Sequence, residues 1–371
     1  MIEPSYQVTV MSPVDGSVTA IFDPASFWDL RYSRLLNDIG VLTLTLSYNN
    51  AFRTAFVLDS LIEVARTNPL TGLLTVEDTY LCRFMNRYRQ GNDERYVVSG
   101  FHLNDLIRRR VVDPADDPNA AGGFSTYAGP SDTVIYNYAY YNLGPGASAA
   151  RRTPGLTIRV PPGNGLPVGY NLQYDDLFKA VFQDASAHGF TDFNIKRTTA
   201  NNLELDIGVI GTDRRRSTNY PNYPFVQFDP LRGNLADPNL TLDYKAEKTL
   251  VYTLGAGQGS ARQLIRVAGN GSGDSPFNRI EYTESAGSIV KGDATGLNSA
   301  ARASLKKYAL IQTFTMRLLG DNQGAIYNSD WFLGDYVTAV YDDFSADLRI
   351  TGVELFITQS GETITPSITV I

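Results

Sequence analysis

The sequence predicts a β-rich α+β protein in which two small antiparallel β modules, barrel-like in pattern, flank an α/β middle domain. Three observations predict it. Both ends of the chain alternate apolar and polar residues over short runs separated by turn chemistry. The stretch from 131 to 210 carries two helix-period segments, the second followed by two strand candidates. The composition is rich in Gly (32), Tyr (22) and Phe (18) and only 19% charged, which suits a packed β protein and not a disordered one. A chain of 371 residues exceeds what one core organises, about 250–300 residues. The divisions fall at 1–112, 113–238 and 239–371, with 255–308 placed either in the last segment or against the middle one.

The elements follow in order. Tyr6 to Met11 alternates, Asp15-Gly16 is a hairpin turn, and Ser17 to Phe22 returns. From Ile39, Leu42, Leu44 and Leu46 share one face and Thr43 and Thr45 the other. Ala55 to Ala65 and Leu73 to Tyr88 read as strands separated by the turn residues Asn68 to Gly72, and Arg95 to Phe101 as another. A short helix, Leu103 to Arg110, closes this unit. Asp113 to Pro130 has no period and reads as loop. Ser131 suits the N-cap of a helix through Val134, Ile135, Tyr138 and Tyr141. Residues 142–170 read as loop with one strand, Leu156 to Val160. Loops that long in a compact domain are uncommon and usually functional or ordered by a partner.

Asp175 to Ala187 is the clearest helix, with Leu177, Phe178, Val181, Phe182 and Ala185 in one stripe and His188-Gly189 as its stop. Strands follow at Phe190 to Lys196 and Leu203 to Ile210. Lys248 to Leu254 and Arg262 to Val267 flank a Gly-rich turn, and Arg279 to Thr283 is a further strand. Leu297 to Tyr308 reads as a helix. The last 60 residues alternate almost throughout, at Ile311 to Leu319, Tyr336 to Tyr341, Leu348 to Ile357 and Ile364 to Val370.

Composition excludes several kinds of chemistry. A lone Cys, Cys82, rules out a disulfide framework and a Cys-based metal site. Two His, His102 and His188, leave little for an imidazole metal centre or a triad, and there is no Gly-x-Ser-x-Gly elbow. The Gly255 to Gly259 run is followed by strand-like residues where a dinucleotide fingerprint needs a helix, so it reads as a turn. Asp116-Asp117, Asp175-Asp176 and Asp342-Asp343 are the adjacent carboxylates available for glycosidase work; neighbours on a strand face opposite ways, and solvated turns or a helix start account for them. The loop carrying Asp113, Asp116 and Asp117 lacks the spacing of a dedicated Ca²⁺ loop. No cofactor and no metal are expected. The N-terminus, from Met1-Ile2-Glu3-Pro4, lacks a basic and apolar leader, and no run is long enough to span a bilayer. The N-x-S/T triplets at Asn239 and Asn270 then read as chance matches.

The basic residues are uneven: 25 Arg against 7 Lys. Arg and Tyr are interface residues, although a GC-rich genome produces the same bias. Arg108-Arg109-Arg110 and Arg214-Arg215-Arg216, the latter near Tyr220, Tyr223 and Phe225, are candidate interface runs; solvated faces are the plain alternative. A net charge of −7 argues against non-specific nucleic-acid binding.

Two segments carry a resemblance. The first runs from Trp28 through Gly40 to Leu46 and continues at Val97-Val98-Ser99-Gly100-Phe101-His102 to Arg110. The second is Trp331-Phe332-Leu333-Gly334-Asp335-Tyr336-Val337, leading to Leu348 to Glu354. In this order they resemble the hub-like tail proteins of siphophages, relatives of the baseplate hub that continues the tail tube. The resemblance implies two tube-type barrels per subunit and a homotrimeric ring of pseudo-six-fold symmetry. It implies a place in the virion, at the tail tip, between the tail tube or distal tail ring and the tip, spike or fibre proteins. It carries no catalytic residues. Trp28, Gly40, Gly100, Trp331, Gly334 and Asp335 are the fold and assembly motif: Gly334-Asp335 a tight turn, Trp331 an anchor, Gly40 a strand entry without a side-chain clash. A ring that passes DNA without stable binding should keep its Arg runs off the channel, at subunit contacts. The competing readings are a carbohydrate- or receptor-binding tail protein and a carboxylate-dependent glycan hydrolase.

Overall fold

The computed structural model describes residues 5–219, 225–269, 276–287, 289, 292–319 and 325–371. Met1 to Pro4, Tyr220, Tyr223 and Asn270 lie outside the described residues. The first segment supplies β1 (Tyr6–Met11), β2 (Val18–Phe22), β3 (Asp29–Leu35), β4 (Val41–Ser47), β5 (Leu61–Thr67), β6 (Leu74–Gln90), β7 (Asp93–His102) and the one-turn helix α1 (Asp105–Arg108). Next come β8 (Ser125–Pro130), α2 (Ser131–Asn142), β9 (Leu156–Ile158) and β10 (Pro167–Leu172). A π-helical segment, Phe178–Gln183, runs into α3 (Asp184–Gly189), followed by β11 (Asp192–Thr199), β12 (Asn202–Gly208) and α4 (Arg216–Asn219). The remainder is β13 (Gln227–Phe228), β14 (Leu235–Asp243), β15 (Leu250–Leu254), β16 (Leu264–Ala268), β17 (Glu281–Ser285), α5 (Ala294–Lys307), β18 (Ile311–Leu318), β19 (Tyr336–Tyr341), β20 (Phe344–Thr358) and β21 (Gly361–Val370).

The protein is β-rich with several sheets, and among the described residues none closes into a barrel. The first and last segments, expected as separate barrels, share one eleven-stranded sheet in the order β13-β19-β20-β3-β4-β7-β6-β5-β1-β2, with β21 on β20. The join is antiparallel, from Gly352 opposite Leu35 to Thr358 opposite Asp29. Alternation specifies which face of a strand is buried; it does not name the strand's partner. The face itself is as read: Leu42, Leu44 and Leu46 are fully buried.

The middle layer packs the expected stripe, Leu177, Phe178, Val181, Phe182 and Ala185, into one core with Val134, Ile135 and Tyr138 of α2 and Phe193, Ile195, Leu205 and Ile207 of β11 and β12. Three local readings change. β8 and β10, which pair with each other, both lie in stretches read as loop, because their Ser-Thr-Tyr-Ala-Gly-Pro and Pro-Val-Gly-Tyr-Asn-Leu sequences alternate only weakly. Ser131 does not cap α2; its Oγ donates to the Gly189 carbonyl (3.1 Å), while Pro130 holds the N-cap position. The stop after α3 is Phe190 at φ 52°, one residue beyond Gly189.

By compactness the chain divides into two units: 1–237 with 316–369 and 371, and 238–315 with 370. In the second, β15 pairs antiparallel with β16 and parallel with β17. Helix α5 buries Leu297 and Ala301, and Asp293 caps it by accepting from the Gly296 amide (2.8 Å).

Candidate functional site

The second motif folds into a tight joint before β19. Asp335 is 1% exposed: its Oδ1 accepts from the Thr212 amide (2.7 Å), and its Oδ2 from Arg214 Nε (2.7 Å) and the Phe332 amide (2.9 Å). Burial pushes this carboxyl above its ordinary value, against the pull of those donors. Gly334 (φ 90°) crosses Gly211 (φ 94°) backbone to backbone. A Cβ on Gly334 would lie 2.6 Å from the Ile210 carbonyl oxygen, and one on Gly211 would strike the Gly334 carbonyl. Two glycines are what this approach requires. Trp331 is fully buried; its Nε1 donates to the Ala325 carbonyl (2.8 Å) and its ring meets Phe228 edge-on at 6.1 Å.

The first motif plays a similar part in the sheet. A side chain at Gly40 would collide with the Ser33 carbonyl, and one at Gly100 would lie 2.7 Å from the Leu81 carbonyl oxygen. Trp28 is half-buried beneath the Arg95 guanidinium, 4.0 Å from its ring centre.

The two Arg runs make contacts within the chain. Arg108 and Arg109 converge on Asp105, and Arg109 also reaches Asp59 (3.1 Å). Arg110 donates to the Arg151 carbonyl (3.0 Å). Arg214 pairs with Asp335, and Arg215 with Asp213 (2.7 Å). That pair, with neighbouring hydroxyl and backbone donors, lowers the Asp213 carboxyl to about 2. Arg216 donates to Gln227 Oε1 (3.4 Å).

Two constellations escaped the sequence reading. The first is Asp192, 1% exposed at the start of β11. It accepts from Arg349 of β20, from Asn37 Nδ2 (2.8 Å) and from the Ile210 amide (2.7 Å). It therefore binds three segments that are far apart in the chain. The second is a buried polar cluster inside the large sheet. Arg34 donates to Asp78 (3.2 Å) and to the Tyr327 hydroxyl (2.7 Å). Tyr32 bonds Glu77, which also accepts from Asn328 Nδ2 (3.3 Å). Arg66, 2% exposed, grips Glu362 with Nε (3.0 Å) and Nη2 (2.6 Å), and Tyr6 bonds the same carboxylate. The only sequence signal was a charged residue on the apolar beat of a strand.

Most of the candidate catalytic groups have hydrogen-bond or ion-pair partners within the chain. His102 Nδ1 accepts from the Asn104 amide (3.1 Å), so its Nε2 carries the proton and donates to Asp78 (2.7 Å). His188 bonds Asp184 one turn earlier (3.2 Å). Asp176 caps the following helix by accepting from the Lys179 amide, Asp175 accepts from the Gln173 amide, and Asp116 pairs with Arg151 (3.0 Å). Asp342 occupies a turn position at φ 51°. The Gly255 to Gly259 run is the β15–β16 connection, with Gly255 bonded across to Gln263. Among the described residues no cluster of three or more His, Cys, Asp or Glu could hold a metal, and no helix is long and apolar enough to cross a membrane.

Several solved phage tail proteins share this fold. The chain is similar to a tail protein from Neisseria meningitidis MC58 (TM-score 0.60, 12% identity, covering 99% of this chain and 96% of that one). It is similar to the 43 kDa tail protein of prophage MuSo2 from Shewanella oneidensis (TM-score 0.62, 9% identity, 98% and 97%). It is also similar to prophage tail protein gp18 from Listeria monocytogenes EGD-e (TM-score 0.54, 13% identity, 98% and 94%). No curated protein sequence matches it. The class is therefore a phage tail protein fold. The family model described as Siphovirus ReqiPepy6 Gp37-like protein matches residues 14–368, and the chain belongs to that family. The siphophage tail resemblance read from the two motifs is thereby established.

Proposed function

We propose that this chain is a structural subunit of a phage tail tip or baseplate hub. Three copies form a ring of pseudo-six-fold symmetry that joins the tail tube to the tip and lets DNA pass. The observation that carries this reading is the family match over residues 14–368. The fold likeness to tail proteins along nearly the whole chain supports it.

In this reading each subunit contributes two tube-type β modules, with segment borders near 112 and 238, whose walls are completed only in the ring. The partners are a tube or distal tail ring on one side and tip, spike or fibre proteins on the other, within the virion. The net charge of −7 supports a channel that does not retain DNA, since binding driven by counterion release needs a basic wall. Arg214 and Arg215 are already neutralised by Asp335 and Asp213, which removes them as phosphate clamps.

The test is mass by light scattering together with electron microscopy. The expected result is a particle of three 40.8 kDa chains, ring-shaped, with a central hole. The same preparation should not retard duplex DNA at about 150 mM salt. A chain that stays monomeric at all concentrations and hydrolyses glycans would overturn the proposal.

A further inference from the structure

The turn between β5 and β6 ends in a contiguous apolar tip. Leu70, Leu73, Leu74 and Val76 are between 47% and 65% exposed, in a stretch, 70–76, whose every residue is exposed. A single exposed leucine needs no explanation, but a contiguous group marks a contact site. Leu74 stands opposite Thr67 and Val76 opposite Ala65, which in turn faces Gln7 of β1, so the apolar side chains have only neutral cross-strand neighbours. From Thr67 to Val76 no side chain is ionisable. The charges at the borders, Arg66 and Glu77, are buried, Arg66 on Glu362 and Glu77 on Tyr32.

The tip is held in one shape. Asn68 Oδ1 accepts from the Leu70 amide (2.9 Å) and the Thr71 amide (3.1 Å). The Asn68 carbonyl accepts from the Gly72 amide (2.8 Å), and the Asn68 amide donates to the Leu73 carbonyl (2.9 Å). Asn68 Nδ2 donates to the Asn328 carbonyl (2.9 Å), which ties the turn to the segment bonded to Glu77. Gly72 supplies φ 71°, and Pro69 is buried. These bonds keep the leucines out in water, a solvation cost that contact with an apolar partner recovers. A tip ordered in advance also loses little conformational freedom on binding.

The charge pattern selects the occupant. A tip that seeks a bilayer carries basic residues for the headgroups and Trp or Tyr for the interface. Residues 67–76 contain neither. An uncharged aliphatic tip complements an uncharged apolar recess on a protein. A groove that this chain presents between β3, β20 and β21 is lined by the Arg31–Glu354 pair, Phe356, Thr363 and Thr365. Leucines seated there would take an ion pair out of water, which is costly. The occupant is therefore a different protein and not a second copy.

We propose that the 70–76 tip is a preformed plug that seats in an uncharged apolar recess of a different tail protein. This rests on the tail-hub reading given above. The probes are the purified tube subunit and the purified distal tail subunit of the same virion, each presented to the full chain by biolayer interferometry. One of them should bind. Leu73→Asp combined with Leu74→Asp should weaken that binding at least tenfold, while Leu73→Met with Leu74→Met should not. Melting temperatures should agree across these chains, because the altered side chains are exposed. Asn68→Ala, which keeps every leucine and frees the turn, should weaken binding by a smaller factor. Four results would overturn the plug: neither probe binds, the Asp variant binds as well as the parent, the Asp variant loses self-association instead, or the parent binds phosphatidylcholine or phosphatidylglycerol vesicles and the Asp variant does not. A ring seen by electron microscopy alongside any of these leaves the hub reading intact. A chain that forms no ring and binds neither probe removes both.

Discussion

The interior of the large sheet and the interior of the 238–315 unit are built of different material. The first contains Arg34, Arg66, Glu77, Asp78 and His102, each tied to a partner, with Asp192 and Arg349 beside it. The second buries Val251, Ala286, Leu297, Ala301 and Phe314 as its described apolar core. Within it, Thr253 Oγ1 and Glu247 Oε2 are buried and have no hydrogen-bond partner among the described residues. Paired charges hold a structure to one arrangement, because any other arrangement strands a charge out of water. The large sheet is therefore a charge-paired frame, and the small unit rests on apolar packing.

Breaking the frame should cost most. Arg349→Ala leaves Asp192 buried and unpaired, which costs about 3–5 kcal/mol in urea or thermal unfolding. Pairing it with Asp192→Asn should recover part of that loss; if the double variant is as unstable as the single one, the pair is not what holds the junction. Leu297→Ala removes the centre of the small core and costs about 2–5 kcal/mol locally. Hydrogen exchange should quicken across 238–315 and stay unchanged in the large sheet. Spread of the effect into β3–β7 would mean that the two interiors are not independent.

Gly334→Ala should cost about 1–3 kcal/mol, since φ 90° strains an L residue and its Cβ would meet the Ile210 carbonyl. Melting of Gly211→Ala should fall alongside it, because the two residues share one crossing.

The pH dependence sharpens the comparison within the polar cluster. Burial alone would raise the Asp78 carboxyl, but His102 and Arg34 more than offset it and hold it below its ordinary value of 3.8. A depressed folded value stabilises the protein above about pH 4, and that contribution is lost as pH falls through the folded value. For Glu77, burial raises the carboxyl above 4.5 despite Arg34, Tyr32 and Arg66. Its ionised form therefore costs stability, and the cost disappears as pH falls through the raised value. Stability should first rise slightly on acidification from neutral and then drop below pH 4. Asp78→Asn should reduce the drop, and what remains follows the other depressed carboxyls such as Asp213. Glu77→Gln should reduce the rise, which the raised Asp335 carboxyl shares, and change stability at pH 7 by no more than about 1 kcal/mol, since the amide can still serve Tyr32 and Asn328.

Much of this was legible in the chain. Leu42, Leu44 and Leu46 are buried where alternation put them, and Leu177 to Ala185 form the helix stripe that their spacing demands. Asp15-Gly16, Asn68 to Gly72 and Gly255 to Gly259 are connections, as their turn chemistry requires. What was not legible was pairing between distant segments. Asp192 and Arg349 are 157 residues apart, and Arg66 and Glu362 are 296 apart. Nothing local marks either pair, because a charged residue destined for burial looks like one destined for solvent until its partner is known.

The sequence by itself determined which residues are apolar on which beat, where the chain turns, and that glycine must occupy the tight positions. It also carried the two motifs on which the tail-protein resemblance rests. Only the tertiary structure decided that the two ends of the chain share one open sheet and that charged side chains weld it. The physical reason is the range of the forces. Backbone sterics and side-chain periodicity act over a few residues, whereas strand partners and buried ion pairs are chosen only when distant segments compete for the same space.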